Sequence, residues 1–177
     1  MSVIERTPRI ETRRLALRAP GFADAPRIAA LAGDIGVARM TTRLPHPYTR
    51  GHAEAFLARM AATDYRREAV FAIEHEDEGL IGLAGMHPTG QFGPEIGYWL
   101  GRPYWGRGFA TEAAAALLSW IKVEKRARAV ISGHFADNPA SGRVLQKVGF
   151  LYTGVIEPRF SVARNAVIDT RMMVWIA

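Results

Sequence analysis

From Ile10 to Arg18 apolar and polar positions alternate, with Leu15 and Leu17 on one side and Arg14, Ala16 and Arg18 on the other, the pattern of a half-buried strand. Pro20-Gly21 turns the chain, Asp24 stands at a helix N-cap, and Pro26 suits the first helical turn. Ile28, Leu31 and Ile35 then give a helical stripe interrupted near Gly33. Leu44-Pro45-His46-Pro47-Tyr48-Thr49 is a rigid loop, because its prolines fix φ and push the residues before them to extended shapes. Thr49 caps the next helix, which buries Ala53, Phe56, Leu57 and Met60. Strands follow over Ala69–Glu74 and Leu80–Met86, joined by the acidic turn Glu76-Asp77-Glu78-Gly79, and another runs from Phe92 to Leu100.

A helix is predicted from Thr111 to Lys125, since its Ala-Leu run has high helix propensity and Lys122, Lys125 and Arg126 suit the negative end of its dipole. Ala129–Phe135 reads as a strand. Asn138–Lys147 reads as a helix with Ser141, Val144, Leu145 and Val148 on one face, stopped by Gly149. Phe150–Val155 and Val167–Trp175 supply the last strands, with a polar loop from Glu157 to Asn165 between them. This order predicts an α/β (α+β) fold with a mixed, mostly antiparallel sheet flanked by helices. With no internal repeat and no linker, residues 1–177 read as a single domain.

Composition narrows the chemistry. There is no cysteine, which excludes disulfides, thiolate zinc sites and a cysteine nucleophile, and suits a cytoplasmic protein. The stretch Met1-Ser2-Val3-Ile4-Glu5-Arg6 lacks the apolar core of a secretory signal, and no apolar run approaches the roughly 18–20 residues of a membrane span. The net charge of +6 suits a polyanionic partner such as RNA, a phosphorylated cofactor, or solubility alone. The basic residues are dispersed, with no run of five or six, so direct nucleic-acid binding is not expected.

The stretch from Tyr104 to Glu112 carries the most chemistry. It lies between a strand and a helix start, and its glycines let the backbone approach a ligand closely. Unpaired first-turn amides and the helix dipole favour phosphate there. A plain tight turn is the other reading. Neither the Walker pattern nor the dinucleotide pattern fits, because no Lys-Ser or Lys-Thr pair occurs and Gly106-Arg107-Gly108-Phe109-Ala110-Thr111 ends in Thr.

Read with these motifs, the chain from Thr12 to Trp175 resembles the GCN5-related N-acetyltransferase (GNAT) superfamily. Its Q/R-x-x-G-x-G/A loop aligns with Trp105, Gly108 and Ala110, so both small positions match and Trp105 replaces the Gln/Arg. Four blocks look like the ribosomal-protein N-terminal acetyltransferase (RimJ/RimL-like) branch. These are Glu11–Arg18, Leu44–Thr49, Glu95–Leu100 with Trp105–Ala113, and Asn138-Pro139-Ala140-Ser141 with Lys147-Val148-Gly149-Phe150. The resemblance implies acetyl-CoA as cosubstrate, no metal, and direct acetyl transfer to a primary amine, either a protein N-terminus or a small amine or antibiotic. A non-catalytic CoA- or RNA-binding module is the alternative from another class. Oligomeric state is not legible, a homodimer being one open option.

The resemblance places coenzyme A between the strand ending at Leu100 and the strand ending near Phe135. The backbone of Trp99 and Leu100 would bond its pantetheine arm, and the amides of Trp105, Gly106, Arg107, Gly108, Phe109, Ala110 and Thr111 would hold its pyrophosphate. Arg107 could add charge there or be a solvated loop arginine. Glu112 reads as structural, since a carboxylate suits the helix dipole but would repel phosphate. Asn138 would bond the cofactor arm and can cap its helix as well. Ser141 is the candidate acid or thiol-orienting group, or else a capping serine. The tyrosine that many members use as acid falls at Leu145 here. Glu95 is the candidate base, sharing a strand face with Gly97 and Trp99, unless it sits exposed at the strand start. His134 and His46 are weaker candidates, the first at a strand end and the second in its proline loop. Tyr98 points away from Glu95 and is assigned to core packing. Arg39–Thr49 and Glu157–Asn165 are the expected acceptor loops.

Overall fold

A computed structural model of the chain describes residues 7–90 and 93–177. In chain order its elements are β1 (Ile10–Glu11), β2 (Leu15–Arg18), α1 (Ala25–Ala32), α2 (Ile35–Ala38), α3 (Arg50–Ala61), β3 (Ala69–His75), β4 (Gly79–His87) and β5 (Glu95–Leu100). After these come α4 (Phe109–Glu124), β6 (Ala129–Phe135), α5 (Pro139–Lys147), β7 (Leu151–Ser161) and β8 (Ala166–Ile176). All eight strands join one sheet in the order β1-β2-β3-β4-β5-β6-β8-β7. Every neighbouring pair is antiparallel except β5 and β6, which are parallel.

Helices cover both faces. On one face α4 lays its apolar stripe, Phe109, Ala113, Leu117, Trp120 and Ile121, against the sheet, at the spacing that keeps residues on one side of a helix. There Trp120 meets Phe71 edge to face, with ring centroids 5.2 Å apart. Helix α5 lies beside α4 over β6. On the other face α1 packs against α3 and β4, and Leu31 reaches the end of β5, where a Cβ on Gly101 would fall 2.6 Å from the Leu31 side chain. The fully buried Phe71, Phe109, Leu117, Ile121, Phe150 and Met173 form the centre of the core.

Several boundaries differ from the sequence expectation. The strand expected over Ile10–Arg18 is a tight hairpin of β1 and β2. Thr12 makes the bend, its backbone N–H donating to the Leu15 carbonyl at 2.8 Å and its hydroxyl accepting from the Leu15 N–H at 2.9 Å. Ala16 is buried like Leu15 and Leu17, because both sheet faces are covered at that point. Asp24 stands at the N-cap position but its carboxylate turns back to the Gly21 N–H and to Arg18, each at 2.8 Å. Ile35 starts a separate helical turn and is exposed. In α3, Thr49 caps as expected, and Ala53 and Leu57 are buried while Phe56 and Met60 are half-buried. Helix α4 begins at Phe109, two residues before the expected start. The loop expected over Glu157–Asn165 is mostly strand, since β7 runs on to Ser161. Residues 1–6 and the proposed strand start at Phe92 lie outside the described residues. Among the described residues no helix is long and apolar enough to cross a membrane.

The close approach of β4 and β5 depends on Gly82. A Cβ there would sit 2.1 Å from the Trp99 carbonyl oxygen and 2.9 Å from the Leu100 Cα, both backbone atoms that cannot swing aside. Gly82→Ala is therefore expected to destabilise the fold by about 2–3 kcal/mol. A chemical denaturation curve would show this as a lower midpoint with an unchanged slope.

Candidate active site

Strands β5 and β6 are bridged at one point and then part. The bridge pairs Glu95 with Ile131, supported by Ile131 N–H donating to the Pro94 carbonyl at 3.0 Å and Ser132 Oγ donating to the Ile96 carbonyl at 2.9 Å. No register pair beyond it joins the two strands among the described residues. Main-chain groups alternate sides along a strand. Because Pro94 and Ile96 direct their carbonyls at β6, the groups of Tyr98 and Leu100 face the widening gap. The Trp99 carbonyl oxygen lies 2.1 Å from where a Cβ on Gly82 of β4 would sit, so it points at β4 and not at the gap where it was expected to bond. The Leu100 carbonyl accepts the Trp105 indole N–H at 2.8 Å. Gly97, in the middle of β5, is exposed, and a Cβ on it would meet nothing within 4 Å. This is open ground in the middle of β5.

The glycine loop closes one end of this ground. Gly106 and Gly108 have φ of 73° and 79°, the left-handed region where glycine carries no steric penalty. Gly108 is the N-cap of α4 and offers no side-chain cap, and the first intrahelical bond is Glu112 N–H to the Gly108 carbonyl at 3.1 Å. The amides of Phe109, Ala110 and Thr111 precede that bond, so the helix presents donors and its positive end. The Phe109 side chain itself is buried in the core. Arg107 stacks over the Phe109 ring at 4.8 Å and lies 3.9 Å from Glu78. Arg14 covers the same ring at 4.6 Å and donates to the Arg107 carbonyl at 3.1 Å. Glu112 is structural, as expected. It accepts from Thr12 Oγ1, Arg14 N–H and Arg14 Nε at 2.7–2.8 Å, tying the β1–β2 bend to α4. Burial would lift its pKa, but these donors hold it below the ordinary glutamate value.

Glu95 is buried, not exposed at the strand start. Arg159 of β7 grips it through both guanidinium nitrogens, the second contact at 3.2 Å, and also reaches Glu157 at 3.0 Å. His87 stands 3.7 Å from the same carboxylate, and burial, with the Arg43 charge, pushes its pKa down.

On the opposite face of β5, Asn138 caps α5 by accepting from Ser141 N–H at 3.3 Å. Ser141 sits in the first turn, with Tyr98 Oη 3.1 Å from both its hydroxyl and its carbonyl oxygen. Tyr98 packs against the core as expected but also reaches this site. Leu145 is fully buried. His134 is not at a solvated strand end; it is buried, with Nδ1 2.8 Å from the Phe135 carbonyl and Nε2 2.9 Å from Tyr152 Oη. His46 is an exposed loop residue.

A parallel pair split beside an uncapped glycine helix start suits a long phosphorylated cosubstrate. Residues 14–151 match the family model described as the acetyltransferase (GNAT) domain. The chain belongs to the GNAT acetyltransferase family. It is 31% identical over 153 residues to the uncharacterised N-acetyltransferase YoaA of Bacillus subtilis, covering 84% of this chain and 86% of that one. It is 31% identical over 90 residues, half of each chain, to the ribosomal-protein-serine acetyltransferase of Escherichia coli. The solved structure of the ribosomal-protein acetyltransferase RimL in complex with coenzyme A superposes with a TM-score of 0.82, at 17% identity, over 96% of this chain and 98% of that one.

In this GNAT domain the two expected acceptor loops meet. Val162 N–H donates to the Thr42 carbonyl at 3.1 Å, Ser161 Oγ to the Thr41 carbonyl at 3.2 Å, and Arg164 Nε to the Arg39 carbonyl at 2.6 Å. Arg164 also grips Asp137 at 2.7 and 3.1 Å, holding that carboxylate below its usual pKa and joining these loops to the segment that carries Asn138. A separate groove of about 520 Å³ between β1 and α4 is lined by Ile10, Thr12, Ala116, Trp120 and Val123 and includes none of Glu95, Asn138 and Ser141. Sequence reasoning missed Arg14, Tyr98, Arg159 and Arg164 as parts of the site, because each acts on a residue far along the chain.

The depressed Glu112 pKa sets a pH dependence. A lowered carboxylate stabilises the fold above its unfolded pKa, and that contribution fades as pH falls through the folded value. At neutral pH Glu112→Gln is expected to cost about 1.5–3 kcal/mol. The gap between wild type and variant in urea-melt stability should narrow steadily below about pH 4.5.

Proposed function

We propose that this acetyl-CoA-dependent acetyltransferase moves the acetyl group directly to a primary amine, and that the amine is a protein N-terminus. The splitting of β5 from β6 around exposed Gly97 carries the reading. The gap offers the backbone of Tyr98, and of Leu100 the N–H, to a pantetheine arm, and the Gly106–Thr111 loop offers amides to a pyrophosphate. Similarity to the ribosomal-protein-serine acetyltransferase supports a protein N-terminal acceptor.

Acetyl-CoA supplies the activated acyl group. As the new C–N bond forms and the C–S bond breaks, one amine proton must leave and the sulfur departs with the bonding electrons. Glu95 receives the proton. Because Arg159 holds both of its oxygens, removal through a bound water suits the geometry better than direct contact. Ser141 faces the departing sulfur. An ordinary thiol has a pKa near 8.5, far below that of an aliphatic alcohol, so Ser141 serves by donating a hydrogen bond and not by giving up its proton.

The test is coenzyme A thiol release with no acceptor, with peptides of varied N-termini, and with a panel of small amines. Fastest release with one class of peptide supports the reading. Fastest release with a small amine would move the acceptor to that class, and no acceptor-dependent release would overturn the transfer itself. Glu95→Gln is expected to cut turnover roughly a hundredfold with acetyl-CoA affinity nearly unchanged. Unaltered turnover would remove Glu95 from the mechanism. Gly97→Val puts atoms where the fold has open space, so its melting temperature should hold while acetyl-CoA affinity drops roughly tenfold or more, read by calorimetry.

A further inference from the structure

We propose that Tyr98 is a positioning residue for acyl transfer, directing the hydroxyl of Ser141 toward the departing sulfur. This rests on the role given above to Ser141. Tyr98 lies on the β5 face turned to α5, and its phenol oxygen is 3.1 Å from Ser141 Oγ and 3.1 Å from the Ser141 carbonyl oxygen. The phenol has one proton, and the carbonyl can only accept. Two arrangements place that proton. In the first, the phenol donates to the carbonyl and Ser141 donates to the phenol oxygen, which turns the serine lone pairs outward. In the second, the phenol donates to Ser141 Oγ and leaves the serine proton free to donate into the gap. The two differ only by rotation of two hydroxyl groups.

Tyr98 thus lets Ser141 change from acceptor to donor while the phenol proton stays hydrogen-bonded in both arrangements. The first arrangement serves the resting site and the second serves the moment when charge gathers on sulfur. Burial, opposed by the Ser141 hydrogen bond, raises the pKa of the phenol, so it stays protonated and keeps its one donor across the working pH range. The position one helical turn beyond Ser141 is the fully buried Leu145, which brings no hydroxyl. The phenol at this site comes instead from the strand. It stands fixed by the core packing of its ring, so little entropy is lost in holding the serine.

The experiment compares wild type, Tyr98→Phe, Ser141→Ala and the double variant. Turnover is measured at saturating acetyl-CoA, acetyl-CoA affinity by calorimetry, and the thiol pKa of bound coenzyme A from its thiolate absorbance. Tyr98→Phe is expected to lower kcat roughly tenfold with affinity within about twofold, and to have no further effect once Ser141 is alanine. It should also raise the bound thiol pKa to the value seen with Ser141→Ala. An equal loss of turnover from Tyr98→Phe in both backgrounds would mean a structural effect and overturn the proposal. So would an unchanged thiol pKa. If wild type turns over no acceptor while the thiol pKa still responds to both substitutions, the transfer reading fails and the positioning role of Tyr98 stands.

Discussion

Among the described residues the parallel strands β5 and β6 share a single bridge, Glu95 to Ile131, and the arrangement around them keeps the rest apart. A split sheet leaves main-chain donors and acceptors without a ladder partner, and such groups are costly unless water or a ligand meets them. The chain meets part of that demand itself, since the Trp105 indole satisfies the Leu100 carbonyl and Ser132 satisfies that of Ile96. The Tyr98 backbone faces the gap, where the proposed cosubstrate would meet it. Helix α5 fits over β6 because Gly142 is a glycine. A Cβ there would fall 2.6 Å from His134 Nε2 and 2.7 Å from Tyr152 Oη, so only a bare backbone lets the first turn of α5 come this close. The gap is therefore a consequence of close packing on one side of β6 and of missing strand pairing on the other.

Three charged contacts then join segments that the gap would leave loose. Glu112 holds the β1–β2 bend to the start of α4, and through Arg14 it also reaches the glycine loop. Arg159 ties β7 to the start of β5 through Glu95. Arg164 ties the β7–β8 turn to Asp137 and to the Arg39 carbonyl. Two of the three carboxylates are largely shielded from solvent, the side chain of Glu112 being 17% and that of Glu95 11% exposed. In such places a charge is tolerated only with its partner in hydrogen-bonding reach. Each contact spans elements remote in sequence, so each fixes geometry more than it adds net stability.

Much of the fold was legible because local pattern and tertiary role coincide. The β3–β4 hairpin, β6 and α5 follow their expected spans closely, each having a clear period and a turn residue at its end. The bend at Thr12 was hidden because the alternation of Ile10–Arg18 is compatible with one strand, and the deciding hydrogen bonds belong to one threonine hydroxyl. The length of β7 was hidden for the opposite reason. It is an edge strand exposed nearly throughout, so it shows no apolar alternation to read. The glycine loop, Asn138 and Ser141 stand out by motif spacing, but motif spacing does not say which way a backbone carbonyl points, and that of Trp99 points at β4.

The partners of Glu95 and Ser141 show why a site outruns its motif. Tyr98 and Ser141 are 43 residues apart and Arg159 and Glu95 are 64 apart, with nothing in either neighbourhood to announce the match. Yet both pairings follow from one property of β5. Successive side chains of a strand point to opposite faces, so Glu95 must face the β7 arginine when Tyr98 faces α5. A carboxylate and a hydroxyl are thereby delivered to the two sides of one strand, and Gly97 leaves the carboxylate's side bare in the middle of it. A residue with a side chain at 97 would fold equally well by the space around it, but it would fill the open ground on the Glu95 face of β5. The bare position is thus the element of β5 that stability does not require and that the proposed acyl transfer does.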